Sequence, residues 1–303
     1  MAISPNIKHL VISSSGPNII TMYGVLSELE KNGLWSLENI ESFHVSSAGS
    51  LLAVLTMIKT SWDDIDNYII ERPWEKIWNI DHKRFFTAFT NKGLFNMSDF
   101  YKLLEPFFLA NDIKKTITLK EFYEITKKEL NIYISELNTF KSSCLNYQTN
   151  PTTSLLEALY MSCAVPIFFE PLIKNNNCYL DGGLFNYFPV RDLIKKVDNN
   201  TILGICNDRY EKQINTMNIS ETSNILEYIS RLLNNVLNFT IHASFTEIKL
   251  KYIVFVPGFD SSSLWMSIII SKEKRKEMLE LGKKTGKNYF SEVSRATTPP
   301  NAP

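Results

Sequence analysis

The sequence predicts an α/β fold with a largely parallel sheet and helices on both of its faces. Two strand–turn–helix units favour this fold class. A short β-rich run at 7–13 precedes a helical pattern at 19–31, which Gly33 ends. A second strand, 42–46, leads through a tight turn into an apolar helix. Such repeats are typical of parallel sheets covered by helices.

The elements that follow fit the same fold. The helix predicted at 48–59 is apolar on almost every side, as expected of a helix packed between layers. The segment 61–128 predicts several aromatic-rich helices, which either cap a site or simply pack onto the core. The last predicted helix, 272–289, is strongly charged and is expected to face solvent. Patterns between these regions predict strands at 132–137, 179–180, 201–206 and 252–256, and a helix at 154–162.

The overall charge, the spacing of histidines and cysteines, and the length of apolar stretches argue against several classes of function. The 303 residues contain 32 basic and 32 acidic side chains, so no basic field predicts nucleic-acid binding. Scattered histidines, no CxxC spacing and no acidic loop give no reason to expect a metal or cofactor. No signal peptide or membrane span is recognisable, so we expect a cytoplasmic protein that associates peripherally with membranes. We predict a single domain at 1–295 and a frayed, Pro-rich tail at 296–303.

The turn after the second strand is a degenerate G-x-S-x-G elbow. It reads Val45-Ser46-Ser47-Ala48-Gly49, with Ser47 at its tip. Such a turn exposes the serine and aims the next N–H at a developing oxyanion. Ala48 and Gly49 provide the small flanking residues, whereas Val45 replaces the first glycine. An alternative interpretation is that Ser47 is an ordinary helix N-cap.

A second turn offers a base for this serine. Asp181-Gly182-Gly183 follows a short strand, and the two glycines free the backbone beside the carboxylate. A serine hydroxyl is a poor nucleophile without an adjacent base, and Asp181 can fill that role. The alternative is a plain Asp-Gly turn. His44 precedes Ser47 by three residues, but strand alternation makes it a structural histidine rather than the base.

The two turns resemble the catalytic blocks of the patatin-like phospholipases. The run SLLEALYMSCAVPIFFEP at 154–171 and the run DGGLFNYFPV at 181–190 keep the order of the family's characteristic residues, as does 118–139 before them. These characteristic residues are Ser162, Pro166, Phe168, Pro171, Asn186, Pro189 and Val190. The resemblance extends over roughly residues 7 to 290.

This resemblance implies a three-layer α/β/α sandwich and a lipid acyl hydrolase of the phospholipase A or lysophospholipase kind. By position, Ser47 is the nucleophile and Asp181 its base, acting through an acyl-enzyme without a cofactor. The implied partners are a phospholipid or another lipid ester and, transiently, a membrane surface. The sequence does not decide which lipid is cut or the oligomeric state.

The family's glycine-rich oxyanion loop corresponds to Ser14-Ser15-Gly16-Pro17-Asn18. The resemblance assigns the oxyanion hole to the N–H groups of Ser15 and Gly16, with Ala48 as a further donor. Ser14, Asn18, Gly49, Gly182 and Gly183 are expected to support them. Serines replace two glycines of the family pattern, and Asn18 replaces its basic residue.

Three hypotheses remain open on the sequence. The first is a working hydrolase; we expect Val45→Gly to raise turnover if the departures from the family pattern limit the activity of the wild type. The second is a catalytically weak or inactive lipid-binding or scaffold protein on the same fold, suggested by Val45 and the degenerate loop. The third is a soluble interaction protein that uses the aromatic block 61–110.

Overall fold

The structure is a computed structural model that describes residues 5–58, 60–208, 219–223, 225, 227–229, 231–232, 235, 250–258 and 267–297. Its described strands are β1 (His9–Ile12), β2 (Ser42–Ser46), β3 (Gly93–Phe95), β4 (Glu129–Glu136), β5 (Lys141–Leu145), β6 (Ile167–Phe169), β7 (Leu172–Lys174), β8 (Asn177–Leu180), β9 (Ile202–Asp208) and β10 (Tyr252–Pro257). Its described α-helices are α1 (Ile19–Lys31), α2 (Ala48–Met57), α3 (Trp62–Glu71), α4 (Trp74–Ile77), α5 (His82–Asn91), α6 (Met97–Tyr101), α7 (Glu105–Ala110), α8 (Leu119–Thr126), α9 (Leu155–Cys163) and α10 (Lys272–Thr297).

A central sheet organises these elements, in the strand order β10-β9-β1-β2-β4-β8-β7. The first five strands in this order are mutually parallel. β5 and β8 pair antiparallel to β4, and β7 forms a hairpin with β8. The predicted mostly parallel central sheet flanked by helices is therefore confirmed.

The first unit shows how the sequence produces this arrangement. α1 follows a 3-10 turn at Gly16–Asn18, in which Pro17 supplies a preset backbone angle. It ends in a Schellman motif, because Gly33 has a φ of 78° and the Leu34 N–H donates to the Leu29 carbonyl at 2.9 Å. Glycine at this position thus ends the helix where the sequence predicts.

The hydrophobic core lies mainly between one sheet face and the helices. Residues of α1, α2, α9 and α10 pack there with alternate side chains of β1 and β2, such as Leu10 and Phe43. Val11 points the other way and packs under 187–197, a segment of helical turns that covers the second face. The strands are short and almost wholly buried, as expected of a parallel sheet covered on both sides.

The aromatic segment 61–128 packs onto this same core. It forms α3 to α8, and its buried rings belong to one cluster with the sheet residues, in keeping with the packing interpretation. These rings are Trp78, Phe95, Phe100, Phe107, Phe108 and Phe122. The strand β3 inside this segment was not expected from the sequence; it pairs with β6.

The prediction that the last helix faces solvent is wrong. α10 extends to Thr297, and it buries Met278 and Leu279 against the core. Its backbone touches α1 at Gly282, where an added Cβ would lie 2.2 Å from the Thr21 carbonyl oxygen. Apart from the buried Arg275, the charged residues lie on the outer side of the helix, and the buried residues form a narrow stripe on its inner side.

Two other expectations concern the chain end and membranes. The predicted frayed tail 296–303 begins too early, because residues 296 and 297 still belong to α10; residues 298–303 lie outside the described part. In the part of the chain that the structure describes, no helix is both long and apolar enough to span a bilayer.

Candidate active site

Ser47 stands at a strained turn between β2 and α2. Its φ of 52° and ψ of −132° lie in a region that costs a non-glycine residue about 1–3 kcal/mol. Its side chain does not cap α2, so the N-cap interpretation fails. The Ser47 carbonyl accepts hydrogen bonds from the Ser50 hydroxyl at 2.6 Å and the Ser50 N–H at 2.8 Å. These contacts hold the elbow in place.

Ser162 holds the elbow from the other side. Its hydroxyl accepts a hydrogen bond from the Ser47 N–H at 2.9 Å and donates to the Tyr133 carbonyl at 2.6 Å. Ser162 is fully buried on α9, so neither bond competes with bulk water. In the sequence, Ser162 is recognisable only as one of the family's characteristic residues. Its signal is a hydroxyl beside the buried Met161 and Cys163, in the buried second half of α9.

The Ser47 hydroxyl donates a hydrogen bond to Oδ2 of Asp181, and both residues are almost fully buried. The sheet brings them together: Ser46 is in register with Tyr133 of β4, and Leu180 of β8 pairs with Ser135 of the same strand. Two strand pairings through β4 thus close the long gap in sequence.

The Asp181 carboxylate is oriented by its own backbone environment. Its Oδ1 accepts a hydrogen bond from the Gly183 N–H at 2.8 Å, which leaves Oδ2 facing Ser47. The Asp181 N–H donates to the Ala164 carbonyl at 3.0 Å, and the Ser135 hydroxyl donates to the Asp181 carbonyl at 2.8 Å. The carboxylate is therefore fixed before any substrate arrives.

Glycines permit the close packing around this pair. An added Cβ would lie 2.0 Å from the Tyr133 carbonyl at Gly182, 2.7 Å from the Ser13 carbonyl at Gly49, and 2.6 Å from the Ser14 hydroxyl at Gly183. Real Cβ atoms do not approach so closely, so these positions need glycine.

Val45 occupies a different environment. It is fully buried in the main core, in register with Ile12 on β1 and Ile132 on β4. Its side chain therefore fills core volume. This packing explains how the chain tolerates a branched residue where the family pattern has glycine.

The loop 13–18 leaves two amides unused. The Ser13 and Ser14 N–H groups donate to the carbonyls of Ile205 and Tyr187 at 3.0 and 2.8 Å. The N–H groups of Ser15 and Gly16 have no hydrogen-bond acceptor within the described residues. Gly16 has a φ of 52°, a conformation that glycine adopts without strain.

The Ala48 N–H is also unpaired within the described chain, as expected of the first turn of a helix. Gly16 and Ala48 line one cavity together with Ser47. Ser15 is buried, and its hydroxyl has no partner in the part of the chain that the structure describes. The structure thus places two of the three predicted oxyanion residues, Gly16 and Ala48, around one cavity with Ser47, and Ser15 precedes Gly16 in sequence.

Asn18, one of the residues expected to support this loop, anchors it to the sheet. Its Nδ2 donates to Oδ1 of Asn207 at 2.7 Å and to the Pro257 carbonyl at 3.0 Å. These acceptors lie at the ends of β9 and β10. A neutral amide therefore ties the loop to two strands where the family pattern has a basic residue.

The cavity beside Ser47 has a volume of about 160 Å³ and an almost wholly apolar wall. α1 and α2 form one side, and helices of the segment 61–128 form another. The side chains of this second group include Tyr68, Trp74, Trp78, Phe100 and Leu103. An apolar recess that begins at the Ser47 hydroxyl fits a hydrocarbon chain.

Arg275 is the charged residue of the cavity wall, and it is 5% exposed. Its guanidinium donates to the carbonyls of Ile70 at 2.8 Å and Ile268 at 2.6 Å. Burial lowers the pKa of Arg275 from its usual value, with nearby glutamates opposing that shift. This arginine therefore binds a carbonyl at the C-terminal end of α3 and holds the helical residues 267–270 against that end.

His44 takes no part in the pair. Its Nε2 lies 3.4 Å from Nδ2 of Asn131, and its ring faces Tyr133. Burial, helped by the charges of His9 and Lys196, lowers the pKa of His44 to about 3. A neutral, largely buried histidine in such contacts is structural. No cluster of metal-ligating side chains occurs among the described residues.

Comparisons with known proteins identify the family and several relatives of this chain. The sequence profile of the family described as patatin-like phospholipase matches residues 10–194, which include Ser47 and Asp181. The "Probable lipid hydrolase 463L" of Invertebrate iridescent virus 6 is 29% identical over 190 residues, covering 62% of this chain and 63% of that protein.

Two further relatives carry no functional name. The "Uncharacterized protein R571" of Acanthamoeba polyphaga mimivirus is 23% identical, covering 61% of this chain and 60% of that protein. The "Uncharacterized protein YqhO" of Bacillus subtilis (strain 168) is 23% identical over 291 residues, covering 90% and 94%. The matches thus span about three-fifths of each viral relative, but nearly all of the bacterial one.

Two solved structures share the fold. VipD from Legionella pneumophila superposes with a TM-score of 0.55 at 15% identity, covering 95% of this chain and 67% of VipD. The type III effector protein ExoU, from Pseudomonas aeruginosa, gives a TM-score of 0.50 at 12% identity, covering 96% and 54%. At such identities the likeness concerns the fold alone.

Proposed function

The chain belongs to the patatin-like phospholipase family, and we propose that it is a lipid acyl hydrolase whose catalytic dyad is Ser47 and Asp181. One observation carries the proposal: the Ser47 hydroxyl, on a strained elbow, donates a hydrogen bond to a fixed carboxylate beside an apolar cavity. The name of the iridescent virus relative, a probable lipid hydrolase, supports the same substrate class.

The proposed acylation step uses Asp181 as a general base. Oδ2 takes the hydroxyl proton while Ser47 Oγ attacks the ester carbonyl carbon. The N–H groups of Ser15, Gly16 and Ala48 stabilise the negative charge that develops on the carbonyl oxygen. The ester C–O bond then breaks, and the leaving alcohol takes the proton from Asp181. The acyl group remains on Ser47 with its hydrocarbon chain in the cavity.

Deacylation repeats these roles with water. Asp181 takes a proton from the attacking water, whose oxygen bonds to the acyl carbon. The bond to Ser47 Oγ breaks, Oγ regains a proton from Asp181, and a fatty acid leaves. Because the carboxylate contacts the nucleophile directly, the reaction needs no histidine. His44, held neutral by burial, is not required as a base.

Labelling with a fluorophosphonate probe tests the dyad. We expect modification of wild type at Ser47, none in Ser47→Ala, and a rate about 10²–10⁴-fold lower in Asp181→Asn, the range for loss of a general base. Ser142→Ala, which alters an exposed serine on β5, should label like wild type. Turnover of a soluble short-chain ester should follow the same order.

The alternative is a non-catalytic lipid-binding protein on the same fold, which the degenerate loop 14–18 and the apolar cavity favour. In that case wild type would react no faster than Ser47→Ala, whereas a fatty acid would still bind in the cavity. Mutations that fill the cavity, such as Leu51→Trp, should then abolish fatty-acid binding.

A further inference from the structure

Helix α5 turns its apolar side chains toward solvent. Phe85, Phe86 and Phe89 are 43%, 71% and 75% exposed, and no residue of this helix is buried. Only Arg84 and Ala88 are half-buried. A surface helix of a soluble protein normally places its apolar stripe on the core. α5 does the opposite, so its apolar face is available to a partner.

The three rings form one continuous ridge. The ring centroid of Phe85 lies 6.0 Å from that of Phe86 and 6.0 Å from that of Phe89. Ile80, just before the helix, is 44% exposed. Exposed apolar residues that stand singly need no explanation, but a contiguous patch of large ones marks an interaction surface. We call Phe85, Phe86 and Phe89 the phenylalanine ridge.

The charges around the ridge favour an anionic partner. Residues 82–92 contain Lys83, Arg84 and Lys92 but no aspartate or glutamate. Asp81, just before them, is the N-cap of α5, and its carboxylate accepts a hydrogen bond from the Arg84 N–H. The Arg84 guanidinium pairs with Asp99 at 2.6 Å. Lys83 and Lys92 are exposed. Aromatic and basic side chains on one helix are typical of helices that lie in a membrane interface.

The helix that carries the ridge is connected to the wall of the cavity through two side chains, Arg84 and Phe95. The Arg84 guanidinium stacks over the Phe95 ring at 4.7 Å, and the Phe95 ring centroid lies 4.9 Å from that of Trp78. Trp78 lines the same cavity as Ser47. A surface that contacts the ridge is therefore close to the proposed acyl-binding cavity.

We propose that the phenylalanine ridge docks the protein on the surface of an anionic lipid bilayer. Phe86 and Phe89 enter the boundary between headgroups and acyl chains, and Lys83 and Lys92 face the anionic headgroups. The inference rests on the proposed function in one respect, namely that the ester substrate resides in that bilayer.

Binding is measured by cosedimentation with vesicles of phosphatidylcholine, with and without phosphatidylserine. All proteins carry Ser47→Ala, so that hydrolysis cannot alter the vesicles. We expect binding to the anionic vesicles to fall tenfold or more in Phe86→Ser/Phe89→Ser, and also in Lys83→Glu/Lys92→Glu. Added salt should weaken binding, because it screens the lysine contacts.

Leu109→Ser/Ile125→Ser is the matched control. It removes two apolar side chains of similar exposure, 69% and 63%, from α7 and α8. This variant should bind vesicles like its parent. Because the altered side chains in all three variants are exposed, their melting temperatures should stay close to that of the parent.

Two results would overturn the proposal. One is equal vesicle binding by the ridge variant and the control. The other is a concentration-dependent dimer that Phe86→Ser/Phe89→Ser abolishes, which would make the ridge an interface between copies of the chain. Turnover of a soluble short-chain ester by proteins with Ser47 intact tests the proposed function separately. A failure there would leave the vesicle result standing on its own.

Discussion

The N–H of Ser47 and the hydroxyl of Ser162 form a buried hydrogen bond of 2.9 Å that fixes the elbow to α9. Because Ser162 also donates to the Tyr133 carbonyl, one hydroxyl connects the Ser47 elbow, helix α9 and the central strand β4.

Removing this hydroxyl should lower both turnover and stability. Ser162→Ala removes the acceptor of the Ser47 N–H and one donor to the Tyr133 carbonyl, which should cost about 1–3 kcal/mol of stability. A misplaced Ser47 hydroxyl should reduce kcat on the order of 10²-fold with little change in KM. Steady-state kinetics on a soluble ester and denaturant unfolding measure the two effects.

Ser27→Ala is the control for this change. It removes a buried hydroxyl that donates to the Gly24 carbonyl at 3.1 Å, within α1 and away from the elbow. It should lower stability without lowering kcat. An equal fall in kcat for both variants would mean that Ser162 acts only through general stability.

Val45→Gly should destabilise the protein rather than activate it. The family pattern favours glycine here, but the Val45 side chain is fully buried in the core, on the strand β2 that lies between β1 and β4. Its loss removes core contacts and frees the unfolded chain, together about 2–4 kcal/mol. Chemical denaturation and ester turnover of wild type, Val45→Ala and Val45→Gly measure this. A rise in kcat for Val45→Gly would show that the methyl groups obstruct the site.

His44 should make stability depend on pH. Its folded pKa of about 3 lies below the unfolded value of 6.5, so the unfolded chain binds a proton that the folded protein rejects. This contribution to stability is complete above pH 6.5 and is lost as the pH falls toward 3, by at most about 1.4 kcal/mol per pH unit.

His44→Gln should therefore flatten the curve of unfolding free energy against pH between 6.5 and 4. Ester turnover at neutral pH should persist, apart from any effect of lowered stability. A fall as large as that of Ser47→Ala, with folding intact, would identify His44 as the base. Parallel stability curves for wild type and His44→Gln would mean that the histidine titrates normally.

Gly282→Ala should destabilise the contact between α10 and α1. Alanine normally favours a helix over glycine by about 1 kcal/mol, but here its Cβ would meet the Thr21 carbonyl at 2.2 Å. We expect a net loss of about 1–3 kcal/mol, as for other overpacked sites. Gly286→Ala is the control, because an added Cβ at Gly286 would lie no closer than 3.0 Å to a neighbouring atom, the Val25 carbonyl oxygen. If both substitutions stabilise the protein equally, the helices are not in the close contact described.

Much of the fold is predictable because local signals agree with the final structure. α1 has the predicted bounds, because its apolar periodicity and the Gly33 that follows its end are both local signals. β6 and β7 contain three residues each, too few for an alternating pattern, and so escape prediction. The buried stripe of α10 was not predicted from the sequence, for a different reason. Arg275, Met278 and Gly282 have helical spacing, but an arginine and a glycine add no hydrophobic signal.

The candidate site also has features that local sequence predicts and features that it does not. Turn chemistry and the family resemblance single out Ser47 and Asp181, but only the pairings through β4 make them neighbours. The role of Ser162 depends on where α9 crosses β4, and that of Asn18 on the ends of β9 and β10. Such contacts join distant parts of the chain, so no pattern within a short window of sequence contains them.

The position of β1 has a consequence for synthesis on the ribosome. β1 lies inside the sheet, with His9 in register with Ser42 on one side and Ile202 on the other. The loop that follows it depends on Asn207 and Pro257. A nascent chain that has already exposed Ser47 and Asp181 still lacks these supports and the whole of α10. The Ser47–Asp181 pair and the loop 13–18 therefore gain their full support only late in translation, and a product truncated after Asp181 should lack the anchored form of this loop.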